Sequence, residues 1–587
     1  MKNKKNKVGA LPASFIKKEF ETFVKPMFSG VGDFSEALFF DWERTVENTG
    51  RARVREANIR LREMKKRLTW GGYDLSNLDN EHVCNYCDKR ASNAQRLMPE
   101  FPSHLSFEEI KERLIVAGRL KEHGLDLPDL PHDEEKAMVL LRGAYLRILD
   151  AVWWRRKLKT AQKRAVEGVA RDIGLVQKWK GGYCSNISLF NQRKQTARNN
   201  QLLDTMVAEN EEGQSFYLSE LQDKSISNPD VRRAELMTRI RGFEILAERM
   251  NYQAAFWTIT CPSKYHAFYS HGGKNEKYEG ATVLDAQKYL CEMWAGFRAW
   301  LKRNGINGFG FRVAEPHHDG CPHWHILYFA PKSQLETATD ELEKRCLRED
   351  GNEYGAKKNR FKNEWIKRGV DEQGRTLSAA AYIAKYISKS IDGHQVGYDR
   401  ETNQDTRISS ERVVTWSRTW GIRQFQQIGG SPVGLWRELR RLEGAERTET
   451  ENGFIKEAEN EIFDLHEKIE SYEDKAEAWA VFNMLVGFGR DTLFKLWKTD
   501  EPDNIKISQF IEYDKETGEV TGMVSSNQEN GVAKRNQYGE QVTAVKGLMI
   551  DIFGHVETVR TRFHEWLLRL TSEKRQREFE PTQALLL

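Results

Sequence analysis

The sequence predicts an α+β fold built around an antiparallel sheet, with a largely helical region before it and a mixed region after it. Three observations carry this. Apolar periodicity changes from helical to alternating between about residues 250 and 330. Within that window the order is strand, helix, strand, hairpin, strand, which antiparallel pairing satisfies with short turns. The 587 residues are 39% hydrophobic and 11% aromatic, enough to build a substantial core and incompatible with a mainly disordered chain.

At roughly 150 residues per domain the length corresponds to about four units, or to two or three larger ones. Three regions are expected. Residues 1–245 form a mostly helical part, 246–442 hold the sheet, and 443–587 form a C-terminal part with no recognisable motif. The acidic, polar run 443–461 is the best boundary. The formal charge of +4, from 91 Lys+Arg against 87 Asp+Glu, is too small to argue for nucleic acid, so any such case rests on local clustering. Seven scattered cysteines do not form a secreted disulfide framework. No signal peptide is visible and no apolar run is long enough to span a bilayer, which points to a soluble protein of a reducing compartment.

Taken in order, residues 35–67 read as helical, and Arg51–Arg67 carries eight basic residues against Glu56 and Glu63. Residues 84–245 continue mostly helical, with breaks at Pro99, Pro102, Pro128 and Pro131. A second basic stretch spans 151–175, headed by Trp153 and Trp154. Its Arg155, Arg156, Lys157, Lys159, Lys163 and Arg164 are candidates for phosphate contacts, the competing reading being a solvated helix face. Strands are predicted at 255–260, 309–313 and 323–329, with a helix at 281–302 and a polar turn at 317–320. Beyond Pro331 the pattern is helical to about Trp365 and again over 377–391. Residues 460–500 read as helical, 505–524 as strand-like, and 541–570 as one or two helices.

Chemistry concentrates in two elements. In the strand His323–Phe329, side chains alternate, so His323 and His325 share a face and can present ring nitrogens to one ion. Glu315, across the hairpin, can add a carboxylate. Two imidazoles and one carboxylate leave positions open and suit Mg²⁺ or Mn²⁺ better than a closed zinc site. On the helix 377–391, Tyr382 and Tyr386 are one turn apart and share a face, with Lys385 and Lys389 as a second such pair. The plain reading is two core tyrosines and two surface lysines. The alternative is a pair of phenolic nucleophiles whose phenolates the lysines favour. Together, strand and helix describe a nuclease that keeps its product covalently attached.

These residues carry a family resemblance. His323-Trp324-His325, within EPHHDGCPHWHILYF (315–329), resembles the histidine–hydrophobic–histidine (HUH) motif of HUH endonucleases. AAAYIAKYISK (379–389) is similar to that superfamily's two-tyrosine motif. FWTITCPSKYH (256–266) and SRTWGIRQFQQIGGSPVGLWRELRR (417–441) resemble blocks of the bacteriophage replication gene A proteins, which initiate rolling-circle replication. The resemblance covers about residues 230–440, is looser upstream and extends to nothing beyond 450. It implies a central antiparallel, RRM- or ferredoxin-like sheet with the HUH strand in its middle and the tyrosine helix packed over it.

The resemblance also implies an activity. A metal held by His323, His325 and Glu315 polarises a phosphate of single-stranded or melted origin DNA. One tyrosine attacks, leaving a 5′-phosphotyrosine link and a free 3′-OH, and the second tyrosine later resolves the link into a closed circle. Expected partners are origin DNA and the host replicative helicase and polymerase, in the cytoplasm of a bacterial host. The sequence contains no G-x-x-x-x-G-K-S/T loop, consistent with strand separation by a host enzyme. Competing functions are a relaxase- or transposase-type strand transferase, or a non-catalytic nucleic-acid-binding protein whose Trp257, Phe311 and Tyr328 stack on bases. His317 is an alternative ligand or a solvated turn residue, Cys84 and Cys87 near His82 have the spacing of half a zinc site, and Cys321 reads as structural.

Overall fold

The computed structural model describes residues 14, 18, 21–22, 32–47, 51–77, 79–367, 369–370, 376–393, 397–399, 401–402, 404–443, 457–487, 494–499, 505–507, 509–513, 520–525, 536–540, 543–552, 555–564 and 566–571. It is a mixed α+β protein. The elements that place the site are helices α1 (Ala151–Asp172) and α2 (Pro229–Arg249), strand β1 (Gln253–Thr260), helix α3 (Val283–Arg303), strands β2 (Phe309–Pro316) and β3 (Pro322–Ala330), and helix α4 (Lys332–Cys346). Strand β4 (Phe361–Trp365), helices α5 (Ala379–Ile391) and α6 (Thr406–Trp420), strand β5 (Phe425–Ile428) and helix α7 (Lys475–Val486) complete the set.

The five strands form one antiparallel sheet in the order β5-β2-β3-β1-β4, which puts β3 at the centre. The register sets Glu315 opposite His323 and Val313 opposite His325 on one side of β3, and Thr260 and Thr258 opposite the same histidines on the other. Period-two alternation divides the sheet into two apolar faces. Phe256, Phe311, Val313, Leu327 and Phe329 point to a core shared with α2, α5 and α7. Trp257, Trp324, Ile326 and Tyr328 point to the opposite core, closed by α3 and α4. Both faces are covered, so all nine side chains are buried.

Helix α5 is fixed at both ends. Ser378 caps it by accepting from Ala381 N, and buried Glu244 of α2 accepts from Ala379 N at 2.5 Å, placing a carboxylate at the positive end of the helix. At the other end Gly393 (φ +73°) donates to Ser388 O; a Cβ there would lie 2.7 Å from Thr406 backbone atoms, so the chain passes α6 closely only because this residue is glycine.

Several elements differ from expectation. The described residues between 543 and 570, read as helical, hold strands instead: Ala544–Ile552 pairs with Phe494–Thr499 and His555–Arg560, and Trp566–Leu570 pairs with Met206–Asn210. β-Branched residues recur there (Val545, Ile550, Ile552, Val556, Val559), and a Cβ on Gly547 would lie 1.9 Å from Val559 O, a close approach suited to a sheet. Met206–Asn210 and Ser215–Tyr217 are likewise strands inside the stretch read as helical. β4 is an edge strand with only Phe361 buried, and its polar composition hid it within a charged run. The C-terminal helix α7 packs against α2 in the same core as α5; a Cβ on Gly242 would sit 2.5 Å from Trp479 Cδ1. The acidic boundary from 444 to 456 and the turn from 514 to 518 lie outside the described residues. No helix among the described residues is long and apolar enough to cross a membrane.

Candidate metal centre and tyrosine helix

β2 and β3 bring Glu315, His323 and His325 together, all three buried, with one ligand atom from each lying within 4.8 Å of the others. Among the described residues this is the one group of three or more such side chains. The Nε2 atoms of His323 and His325 are 3.0 Å apart, and Glu315 Oε2 lies 4.0 Å from His325 Nε2. Thr258 Oγ1 lies 3.1 Å from His325 Nδ1, so that an Nδ1–H donated to the hydroxyl turns the Nε2 lone pair inward. Ser390 of α5 donates to Glu315 Oε1 at 2.8 Å, leaving the second oxygen to the centre. Burial, reinforced by neighbouring cations, holds both histidines well below their ordinary pKa and hence neutral, as ligands must be. Burial also pushes Glu315 up to about 7, opposed by the Lys389 charge. A buried, convergent N₂O donor set of neutral imidazoles fits a divalent cation with open positions.

The tyrosine helix lies directly over this centre. The Tyr386 ring stacks on His325 with centroids 3.8 Å apart, and on Phe256 at 5.5 Å; Tyr382 is 6.3 Å from Phe256. Both tyrosines are half-buried. The expectation that neighbouring lysines favour the phenolate fails for Tyr386: burial pushes its pKa up to about 12, with Glu315 adding to the effect. Lys385 is exposed and lies 4.8 Å from the Tyr386 ring centroid. Lys389 is not a surface lysine. It donates to Glu401 Oε2 at 3.4 Å, stands 3.6 Å from Asp399 and sits 4.7 Å over the ring of Tyr183.

Tyr183, Asp399 and Glu401 were not visible in the sequence. Tyr183 donates to Asp399 Oδ2 (2.7 Å) and Glu401 Oε2 (3.3 Å), is fully buried, and adopts φ +75°, a costly conformation for an aromatic residue. Glu401 also accepts from His318 N and lies 3.6 Å from His317 Nδ1. His317 stacks on His323 at 3.9 Å, and its buried Nε2 has no partner among the described residues. His318 is buried, because the turn is covered by the segment carrying Tyr183. Asp319 closes the turn, accepting from Ala267 N and Cys321 N and facing His266 and Arg171. Burial raises its pKa, but the two cationic neighbours more than offset this and keep it ionised. Cys321 is buried behind the turn, as the structural reading requires.

The basic residues 155–164 of α1 take no part in these contacts, which α1 reaches only through Arg171. Arg156, Lys157 and Lys163 are exposed, whereas Lys159 bonds Asn80, Arg164 bonds Trp420 O, and Arg155 is half-buried. Arg156 also reaches Tyr538, and Lys157 lies over Trp153. In the first basic stretch, Arg60, Lys65 and Arg67 pair with Asp41, Asp74 and Asp172. Cys84 and Cys87 lie on one helix with no third ligand among the described residues. Trp257, Phe311 and Tyr328 are at most 2% exposed, so base stacking on the sheet is excluded by the helices that cover it.

Residues 106–394 match the profile of the bacteriophage replication gene A protein (GPA) family. The match begins well upstream of the expected block and takes in α1 and Tyr183. The chain is 41% identical over 304 residues to the replication gene A protein of Escherichia phage 186 (51% of this chain, 43% of that protein). It is 39% identical over 303 residues to the replication protein of Haemophilus phage HP1 (51% and 38%). It is 37% identical over 308 residues to a probable replication endonuclease from a prophage-like region of Salmonella paratyphi A (52% and 38%). The matched stretch thus spans less than half of each relative. No solved structure matches. Residues 106–394, which carry the buried Glu-His-His group and both tyrosines, are thus the part of the chain that is similar to the bacteriophage replication gene A protein family.

Proposed function

We propose that the protein is a site-specific, metal-dependent endonuclease and strand transferase for single-stranded DNA of the HUH type, which nicks a replication origin through a 5′-phosphotyrosine link. The observation that carries this reading is the stacking of Tyr386 on His325 above a convergent Glu-His-His donor set. When bound, Mg²⁺ or Mn²⁺ held by His323, His325 and Glu315 would polarise the scissile phosphate.

The chain's own groups account for the rest. α5 holds Tyr382 and Tyr386 one turn apart, so either phenolic oxygen is presented from the same rigid helix. Attack forms a tyrosine O–P bond and breaks P–O3′, and the phenol's proton is balanced by the one taken up at the departing 3′-oxygen. Lys389, fixed by Glu401 and Asp399, places a cation beside the centre where phosphate charge develops. A second tyrosine allows the reverse transfer to close the product strand.

The same centre would serve a relaxase or transposase; the family's replication proteins favour initiation at an origin. The exposed Arg156, Lys157 and Lys163 of α1 are proposed to contact phosphates, and the host helicase and polymerase to act on the 3′-end, in the host cytoplasm. The test is incubation with a labelled single-stranded origin oligonucleotide and Mn²⁺, followed by a denaturing gel. A covalent protein–DNA band that EDTA prevents is expected; an intact oligonucleotide with no adduct overturns the reading.

A further inference from the structure

Two loops meet on the turn that carries His317 and His318. The first, residues 174–183, ends in the strained, buried Tyr183, whose N–H donates to His318 O. The second, residues 266–275, is tied to the same turn by Ala267 N donating to Asp319 and by His266 facing Asp319. The loops also interlock: a Cβ on Gly174 would lie 2.9 Å from the Phe268 ring, and one on Gly272 would lie 4.0 Å from Trp179 Nε1. Phe268 is buried and anchors the second loop, whose tip turns through Tyr269 and Gly273.

What these anchored loops present outward is aromatic and basic. Trp179 is 65% exposed and Tyr269 36%, and the Tyr269 and His271 rings lie parallel within 8° at 5.4 Å. Lys178 Nζ sits 5.1 Å from the Trp179 ring, and Lys180 is exposed beside it. Large exposed aromatics on loops immobilised from below are costly surfaces without a ligand. Trp179 and Tyr183 are four positions apart, a Cα span of at most about 14 Å, so the rings stand near the nucleotides that would flank a phosphate at the centre.

We infer that Trp179, Tyr269 and His271, with Lys178 and Lys180, form a stacking platform for bases of single-stranded DNA next to the scissile phosphate. Aromatic faces accept any base, and the two lysines complement the backbone charge. The inference rests on the proposed endonuclease reading for its ligand, but binding is measured without cleavage and fails or succeeds separately.

The test uses the full chain in EDTA with a fluorescent oligo-thymidylate. Trp179→Ala combined with Tyr269→Ala should weaken binding about tenfold or more, since stacking is lost at more than one base. Trp179→Phe with Tyr269→Phe should retain most of the affinity, and Lys178→Gln with Lys180→Gln should flatten the salt dependence. Thermal unfolding of the Ala pair should match wild type, because both rings are exposed. Unchanged oligonucleotide affinity in the Ala pair, or an equal loss for blunt duplex of the same length, overturns the platform. If the platform holds and no covalent adduct forms, the endonuclease reading alone falls.

Discussion

The ring of Tyr386 and the imidazole of His325 lie 3.8 Å apart, centroid to centroid, and only 29° from parallel. One side chain comes from a helix, the other from the central strand of the sheet. The contact therefore couples the tyrosine pair to the metal ligands through packing rather than through a flexible arm, and the consequences below follow from that coupling.

Removing ligands should separate metal binding from folding. His323→Ala or His325→Ala should abolish measurable Mn²⁺ binding by calorimetry, and Glu315→Ala should weaken it less. Thr258→Val, which removes only the hydroxyl facing His325 Nδ1, should cost about 10–100-fold in metal affinity. Wild-type Mn²⁺ affinity in either histidine variant would contradict the assignment.

Metal binding should also depend on pH in a specific way. Without metal, burial raises Glu315 to about 7, so this group stabilises the fold at low pH and that contribution is lost as pH rises through about 7. The histidines, held well below their usual value, act oppositely and cost stability as pH falls below about 6.5. Because only Glu315 is still protonated just below neutrality, Mn²⁺ binding near pH 6.5 should release a fraction of a proton and near pH 8.5 almost none. Calorimetry in buffers of different ionisation enthalpy measures this, and Glu315→Gln should remove the release.

Lys389 should owe its position to Tyr183 and Glu401. Tyr183→Phe keeps the ring under the ammonium but loses the bonds to Asp399 and Glu401. Turnover should fall about tenfold while oligonucleotide KM changes little, and the same substitution in a Lys389→Met background should have no further effect. Additive losses in the double variant would show that Tyr183 acts on stability alone.

The sequence disclosed the parts of the site that obey a local period. Alternation puts His323 and His325 on one face, the short hairpin sets Glu315 opposite, and i,i+4 spacing pairs the tyrosines. Tyr183 could not be read this way: its bond to Asp399 spans 216 positions, and no local pattern marks it. Lys389 looked like a surface lysine for the same reason, since the carboxylates that hold it arrive from another loop. The strands Ala544–Ile552, His555–Arg560 and Trp566–Leu570 are hard to tell from helix by sequence because helix formers and β-branched residues are mixed there, and tertiary pairing decides for strand. Expected base-stacking aromatics on the sheet proved to be core, because helices cover both faces.

The most direct test of the central claim is the fate of the covalent adduct in tyrosine variants. Phenylalanine at Tyr382 or Tyr386 preserves packing and removes one attacking oxygen. Each single variant should still attach to a single-stranded origin oligonucleotide in Mn²⁺, with Tyr386→Phe mapping to Tyr382 and the reverse, and neither should complete strand closure. The double variant should form no adduct while unfolding at nearly the wild-type temperature. A DNA-linked peptide recovered from the double variant would place the nucleophile elsewhere and contradict the account.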